Sequence, residues 1–370
     1  MLIIHYSLLI MKPIFLLLAC LIIGSCAEKP TETKPIVDDM PAGKRNFTWS
    51  ADSIAEIGEI SFQSLWGSSP NDIWGASFAD NWRSCLWHYD GTAWRRAAAN
   101  TPLAQANLTA FTDVGRVCGT AQNDVWAVGA REYDISGRDS LAPFTMHFNG
   151  TEWREVGGDA TQMPIGARCV YTPRKGELYV GVFGALHRYK DGVWKKFPVV
   201  VGDIYHAVWR ITSNEQGIYA IVLSGNPLSE FRFYRLHNEH LELLDSTPFT
   251  PERKQKFETS DIFLIKNRVI TIGFGVAENH ILSDGRIDTS AWKHTLRLPT
   301  QRAFWRGFMH NAKHIFAVGS QNLIYHYNGN DWVSLNNDKQ PNPTSYSAVW
   351  ADSGVVVVCD YDYGKIYRGK

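Results

Sequence analysis

From residue 46 onward the chain is written in short apolar runs, each closed by a polar or glycine-containing turn. Large apolar residues alternate with small or polar ones inside the runs, the period of two that marks strands with two unlike faces. The clearest set is Ser64-Leu65-Trp66-Gly67, Asp72-Ile73-Trp74-Gly75, Cys85-Leu86-Trp87-His88-Tyr89 and Thr92-Ala93-Trp94-Arg95. The same four runs return as Arg116-Val117-Cys118-Gly119, Asp124-Val125-Trp126-Ala127-Val128-Gly129, Phe144-Thr145-Met146-His147-Phe148 and Thr151-Glu152-Trp153-Arg154. The last turn of each unit is the strongest local signal: Tyr89-Asp90-Gly91-Thr92-Ala93-Trp94, Phe148-Asn149-Gly150-Thr151-Glu152-Trp153, Lys190-Asp191-Gly192-Val193-Trp194 and Tyr327-Asn328-Gly329-Asn330-Asp331-Trp332, with a weaker Ser283-Asp284-Gly285 before Trp292. An Asp-Gly or Asn-Gly pair between apolar runs predicts a tight hairpin, because glycine supplies the positive φ such turns need.

A unit that recurs about every 40 to 60 residues cannot close its own core and must stack on its neighbours. Four antiparallel strands per unit, arranged radially, predict an all-β chain folded as a β-propeller. Further units run from Arg168 to Phe197, from Ala207 to Asp245 with Asn238-Glu239 as the last turn, from Thr259 to Leu298, and from Trp305 to Leu335. The final stretch, from Ser347 to Arg368, supplies three runs, and Asn46-Phe47-Thr48-Trp49 reads as the missing fourth. The expectation is therefore seven four-stranded blades closed by an N-terminal strand in the last blade, with six the alternative count; such closure removes an exposed sheet edge. The turn phrase resembles the Asp-box of sialidase-type propellers, Ser-x-Asp-x-Gly-x-x-Trp, but Asp90 and Gly91 are adjacent and make the hairpin one residue tighter. It also resembles kelch repeats, although Ala127-Val128-Gly129-Ala130 carries a single glycine of the usual pair. The resemblance to Asp-box and kelch-like bacterial propellers implies the fold and says little about activity.

The segment before residue 46 has a different composition. Met11-Lys12, the apolar run from Ile14 to Ile23 and then Gly24-Ser25-Cys26 have the order of an export signal, with Met11 an alternative start. The tetrad Ile23-Gly24-Ser25-Cys26 resembles the bacterial lipoprotein cleavage box. That resemblance implies a signal peptide over residues 1–26, lipidation of Cys26, a membrane partner through that anchor, and a place in the cell envelope, with the outer membrane favoured by Ala27. The apolar run is shorter than the roughly 20 residues a bilayer span needs. Residues 27–45 are polar and Pro-containing, a tether reaching roughly 20 to 25 Å, and residues 46–370 form the propeller domain.

Composition narrows the function classes. Fourteen Trp, fifteen Tyr and eighteen Phe suit strands. Lys and Arg balance Asp and Glu at 37 each, which leaves no global field for nucleic acid. Cys85, Cys118, Cys169 and Cys359 lack Cys-x-x-Cys spacing and read as buried thiols; a Cys118–Cys169 disulfide, from equivalent places in adjacent repeats, is the alternative.

Candidate chemistry lies where the innermost strands begin. Arg116 and Arg168 align at equivalent starts, Arg306 joins them, and Arg210 falls further along its strand. Guanidiniums converging on one axis would hold a carboxylate or sulfate, unless each is satisfied by a neighbouring acid or a loop carbonyl. Phe78, Trp82, Tyr133, Tyr205 and Tyr346 fall in loops and are candidates for stacking on a sugar. The repeating tryptophans, with Trp66, Trp209 and Trp350 of the inner strands, read as packing between blades. Asp72 and Asp124 recur in a turn, where Asp bonds its own backbone. Asp113, Asp203, Glu258 and Asp261 show no spacing that pairs two carboxylates for glycoside hydrolysis. His310 and His314 flank a turn, which breaks the helical geometry of a metal pair, so neither metal nor cofactor is expected. No phosphate loop or nucleophile elbow is present. The expected function is a membrane-anchored envelope lipoprotein acting as a non-catalytic binding or assembly platform for a glycan or an envelope protein; the alternative is a sialidase-like or lyase-like enzyme acting on an acidic sugar.

Overall fold

The alternating runs form strands that hydrogen-bond four at a time into seven antiparallel sheets. The computed structural model describes residues 43–370 except 55–59, 79–83, 98–109, 135–138, 200–205, 226–229, 251–253, 336–343 and 362–363; the export signal, Cys26 and most of the tether lie outside the described residues. Blade 1 consists of Ser61–Ser69, Asp72–Phe78, Ser84–Tyr89 and Trp94–Arg96, from the axis outward. The innermost strands of blades 2 to 7 are Ala110–Ala121, Cys169–Arg174, His206–Asn214, Asp261–Ile265, Phe304–Asn311 and Tyr346–Ala351. Each innermost strand touches the next, and Tyr346–Ala351 touches Ser61–Ser69, so the ring is closed. The chain is an all-β, seven-bladed β-propeller.

Closure uses both ends of the chain. Trp49–Ser53 pairs antiparallel with Lys365–Gly369, from Trp49 opposite Gly369 to Ser53 opposite Lys365. Thr48 and Lys370 continue the ladder with reciprocal N–H to carbonyl bonds of 2.9 and 3.1 Å. Phe47 and Trp49 then pack on the apolar layer between blades 6 and 7, with Phe47 edge-on to Phe316.

One apolar cluster fills each of the seven interfaces. Between blades 1 and 2, Trp74 and Leu86 meet Val117, Phe144 and Trp153, and the Trp74 and Trp153 rings stand edge to face at 5.1 Å. At the closing interface Phe62 and Trp87 meet Trp350 and Ile366. Because each sheet is covered on both faces, its second strand is a largely apolar run behind a polar first residue, as in Glu177–Val182 and His314–Gly319, where every residue is buried.

The repeated turn phrase forms as its chemistry requires. Asp90 Oδ1 accepts from the Thr92 and Ala93 N–H groups, Asn149 Oδ1 from Thr151 and Glu152, and Asn328 Oδ1 from Asn330 and Asp331. Gly91 and Gly150 have φ of 92° and 100°, and a Cβ on either would sit 2.9 Å from Asn71 or Asn123 of the turn beside it. Asn238 and Glu239 both have positive φ, so the fourth blade makes the same connection without glycine.

Asp72 and Asp124 depart from the expectation that they bond their own backbone. Both are buried, and each accepts from a hydroxyl on the preceding strand, Ser68 or Thr120, and from an imidazole on the third strand, His88 or His147. Each imidazole stacks on the tryptophan two residues beyond the acid, Trp74 or Trp126, with ring centres 4.0 and 4.2 Å apart. Burial works against both carboxylates, but these hydrogen bonds outweigh it and hold their pKa values below the ordinary one. The same two positions carry a swapped Arg268–Glu278 ion pair in blade 5 and, in blade 6, a histidine pair in which His326 Nε2 lies 2.8 Å from His314 Nδ1. His314 is thus engaged with His326 and the Asp352 carbonyl.

Burial, followed by the charges of His314 and Arg45, pushes the His326 pKa down to about 3, and burial pushes His187 to about 4. An imidazole whose pKa falls on folding contributes stability above its unfolded value of 6.5 and loses it as pH falls toward the folded one. His326→Gln, which keeps a donor toward His314, is expected to flatten the fall in thermal midpoint between pH 7 and 5 by the equivalent of about 2 kcal/mol; an unchanged slope would remove His326 from the acid sensitivity. The double substitution Phe47→Ala with Trp49→Ala is expected to lower the unfolding free energy in urea by about 3 kcal/mol or more, and a loss under 1 kcal/mol would mean that the terminal strand does not hold the ring shut.

Candidate functional site

The innermost strands all begin at one end of the ring and enclose an axial cavity of about 390 Å³. Register decides which side chains share a level. One level of the register is formed by Ser64, Arg116, Cys169, Arg210, Asp261, Arg306 and Ala348, paired with Ala76, Val128, Gly181, Ile221, Ile272, Val318 and Cys359 of the second strands. Three guanidiniums and one carboxylate therefore meet at one level. One residue nearer the mouth lie Gln63, Gly115, Arg168, Trp209, Ser260, Trp305 and Ser347.

This register corrects three sequence assignments. Cys169, not Arg168, occupies the place of Arg116, and Arg210 is level with Arg116 and Arg306 rather than further along its strand. Cys118 is matched by Tyr171, not by Cys169, and both thiols are free and buried. The hairpin turn sets the register, so aligning repeats on a shared arginine slipped the third blade by one residue.

A bulge precedes the level residue in five blades, with register shifts between Phe62 and Ser64, Val114 and Arg116, Val208 and Arg210, Phe304 and Arg306, and Tyr346 and Ala348. A bulge sets two residues against one, bends the strand and takes a carbonyl out of the ladder. The arginines collect three of those carbonyls and, in addition, that of Arg168. Arg116 donates to the Gly115 carbonyl at 2.6 Å and the Arg168 carbonyl at 2.8 Å, Arg306 to the Trp305 carbonyl at 3.0 Å, and Arg210 to the Trp209 carbonyl at 2.5 Å. Arg210 also reaches past blade 5 to the Trp305 carbonyl at 3.4 Å, so its side chain lies across the front of blade 5.

Asp261 is the one acid among the described lining residues, against four arginines. It faces Arg210 Nε at 3.4 Å and accepts from the Gly307 and Ile262 N–H groups. Arg306 is surrounded by Arg210 and Arg116; loss of water, then those two charges, push its pKa well below the ordinary guanidinium value. Burial also raises the Cys169 thiol to about 12, with Arg210 and Arg116 opposing, so that thiol stays protonated. The level is electropositive and costs folding energy when empty.

Aromatic groups rim the arginines. A pocket of about 210 Å³ at the mouth is bounded by Trp209, Trp305 and Tyr361 and shares Arg210 and Arg306 with the axial cavity. Trp209 is half-buried beside the Arg210 guanidinium at 5.3 Å, which corrects its assignment to packing between blades. Tyr361 stands edge-on to Trp305 at 5.6 Å and is 47% exposed. Arg168 lies 4.2 Å above the ring of Phe183, itself 56% exposed. Trp305 was missed because the bulge beside it suspends the alternation used to sort residues, and Phe183 and Tyr361 because they follow second strands, where alternation no longer applies; the recurring Trp-Arg pair at Trp209-Arg210 and Trp305-Arg306 was the available signal.

Other sequence candidates lie elsewhere. Tyr346 is no loop residue: it opens the innermost strand of blade 7, wholly buried and edge-on to Tyr367 at 5.8 Å. Phe78 and Tyr133 fall in second strands, with side chains outside the described residues, as are Trp82 and Tyr205 altogether. Glu258 is buried away from the cavity and accepts from the Phe274 N–H.

The architecture recurs in proteins of known structure. YCF48 bound to D1 peptide has 14% identity over 89% of this chain and 97% of that chain, with a TM-score of 0.59. BamB from Moraxella catarrhalis has 10% identity over 88% of this chain and 100% of that chain, at 0.51. The extracellular domain of a hybrid two component system from B. thetaiotaomicron has 15% identity over 88% of this chain and 40% of that chain, at 0.55. The likeness is one of fold. No protein-family model matches the sequence, and no curated protein matches it.

Because Arg306 sits against like charge, Arg306→Met is expected to raise the unfolding free energy by on the order of 1 kcal/mol at low salt. Destabilisation in the same urea titration would show that its bond to the Trp305 carbonyl outweighs the repulsion.

Proposed function

We propose that this protein is a non-catalytic binding or assembly platform of the bacterial cell envelope, tethered through a lipidated Cys26, and that it engages a protein partner at the arginine-lined mouth. The observation that carries the reading is the convergence of Arg116, Arg168, Arg210 and Arg306 on one axial cavity with Trp209, Trp305 and Tyr361 at its rim. Electropositive charge beneath partly exposed aromatics suits an acidic ligand with apolar groups, and Trp, Tyr and Arg are the residues that dominate binding energy at interfaces. Support also comes from the fold neighbours: one was solved with a bound peptide, and another is the extracellular domain of a hybrid two component system.

An enzyme acting on an acidic sugar is the weaker reading. Retaining or inverting hydrolysis needs two carboxyl groups about the scissile bond, and among the described lining residues Asp261 stands alone, engaged by Arg210 and Gly307. The Tyr171 hydroxyl, deeper in the cavity, is bonded to Ser213 at 2.8 Å.

Two measurements test the proposal. Metabolic labelling with an alkyne fatty acid is expected to mark the protein and to be lost in Cys26→Ala. Photo-crosslinkers placed at Phe183 and Tyr361 are expected to capture one discrete protein partner in cells, and a crosslinker at Val193, which opens the fourth strand of blade 3, is expected to miss it. Equal capture from all three positions, or capture of glycan alone, counts against the platform.

A further inference from the structure

Resting on the reading of the mouth as a protein-binding surface, we propose that it captures the free carboxy-terminal end of a partner polypeptide. The terminal carboxylate lies against Arg306 and Arg210, and the last side chain lies in the slot between Trp209, Trp305 and Tyr361.

Three observations converge on a chain end. The first is donor supply. A guanidinium has five N–H donors in a planar fork, and among the described residues Arg306 spends one of them, on the Trp305 carbonyl. Its remaining donors face the cavity beside Arg210, an arrangement that matches the two oxygens of a carboxylate. The second is charge. Loss of hydration and the nearby Arg210 and Arg116 charges already destabilise Arg306, so an arriving anion relieves an existing repulsion.

The third is shape. Arg210 bridges from blade 4 to the Trp305 carbonyl of blade 6 and so partly floors the opening directly below the rim. A chain end enters such an opening once. An internal Asp or Glu would bring two chain arms through the same rim, at least ~5 Å apart, where Trp209, Trp305 and Tyr361 already stand. The apolar rings offer the final side chain a place to bury, while the backbone leaves toward the exposed ring of Phe183. Capture of a terminal carboxylate is an established mode of peptide recognition, here built from side-chain guanidiniums on bulged strands.

The test uses the full-length protein in detergent micelles and the rhodamine-labelled pentapeptide Gly-Ser-Gly-Ser-Phe, read by fluorescence anisotropy at low salt. The free acid is expected to bind, and its carboxy-terminal amide to bind at least tenfold more weakly, as is an amidated peptide with Glu at its centre. Arg306→Lys, which keeps the charge and loses the fork, is expected to weaken the free acid about tenfold. Trp305→Ala is expected to do the same through the slot, with thermal midpoints of both variants recorded to exclude misfolding. Equal binding of acid and amide, or equal binding of the internal-Glu peptide, overturns the inference. Binding of polygalacturonate with no peptide bound overturns it in favour of a sugar acid. If no chain end binds while crosslinks still map a protein to Phe183 and Tyr361, the platform stands and only this inference falls.

Discussion

Ring closure is the constraint on which the rest of this molecule depends. Each sheet presents two apolar faces, and neither can be covered except by a neighbouring sheet. Seven sheets in a circle satisfy all fourteen faces, provided that the last sheet is as wide as the others. The strand Trp49–Ser53 supplies that width by pairing with Lys365–Gly369, so the two ends of the chain are joined by main-chain hydrogen bonds within one blade. The axial cavity, and every distance across it, exists only because this seam is shut.

Within the closed ring, the bulges turn a structural motif toward a ligand. Regular strands would bury Arg210 or Trp209 between blades by simple alternation. Five bulges at the same register instead free carbonyls at the mouth, and arginines bind those of Gly115, Trp209 and Trp305. Those bonds hold guanidiniums in place without neutralising them, since a carbonyl carries no net charge. Asp261 offsets part of the charge, and it is also tied to the backbone of the next blade through Gly307. The level is therefore pre-organised and electropositive, which lowers the cost of ordering when an anion arrives.

The turn networks show how repeats can diverge while the fold persists. Blades 1 and 2 use an Asp, a hydroxyl, a His and a Trp; blade 5 reverses the charges with Arg268 and Glu278; blade 6 places two neutral imidazoles at the same two positions. What is retained is a polar pair spanning the second and third strands, its imidazole stacked on a tryptophan in blades 1 and 2 and tilted against Phe316 in blade 6. The backbone requires only that buried polar atoms find partners, and several chemistries meet that need. The neutral histidine pair does so with an acid sensitivity that the aspartate networks develop only at lower pH.

Much of the fold was legible in residue order alone. Period-two alternation, the Asp-Gly and Asn-Gly turns and the orphan run at Trp49 are local signals, and local geometry converts them directly into hairpins and a count of seven. The four arginines were visible as candidates for the same reason, since each lies near the start of a run. Their relative heights were not, because a one-residue bulge leaves composition unchanged while it alters which side chains share a level. Trp209 passed for packing, and Trp305, Tyr361 and Phe183 passed unnoticed, since their exposure depends on where three different blades place them around the mouth. Sequence determined the blades and their number through short-range turn and strand chemistry. Only the tertiary structure decided the site, because an axis shared by seven sheets is a long-range property that no single repeat encodes.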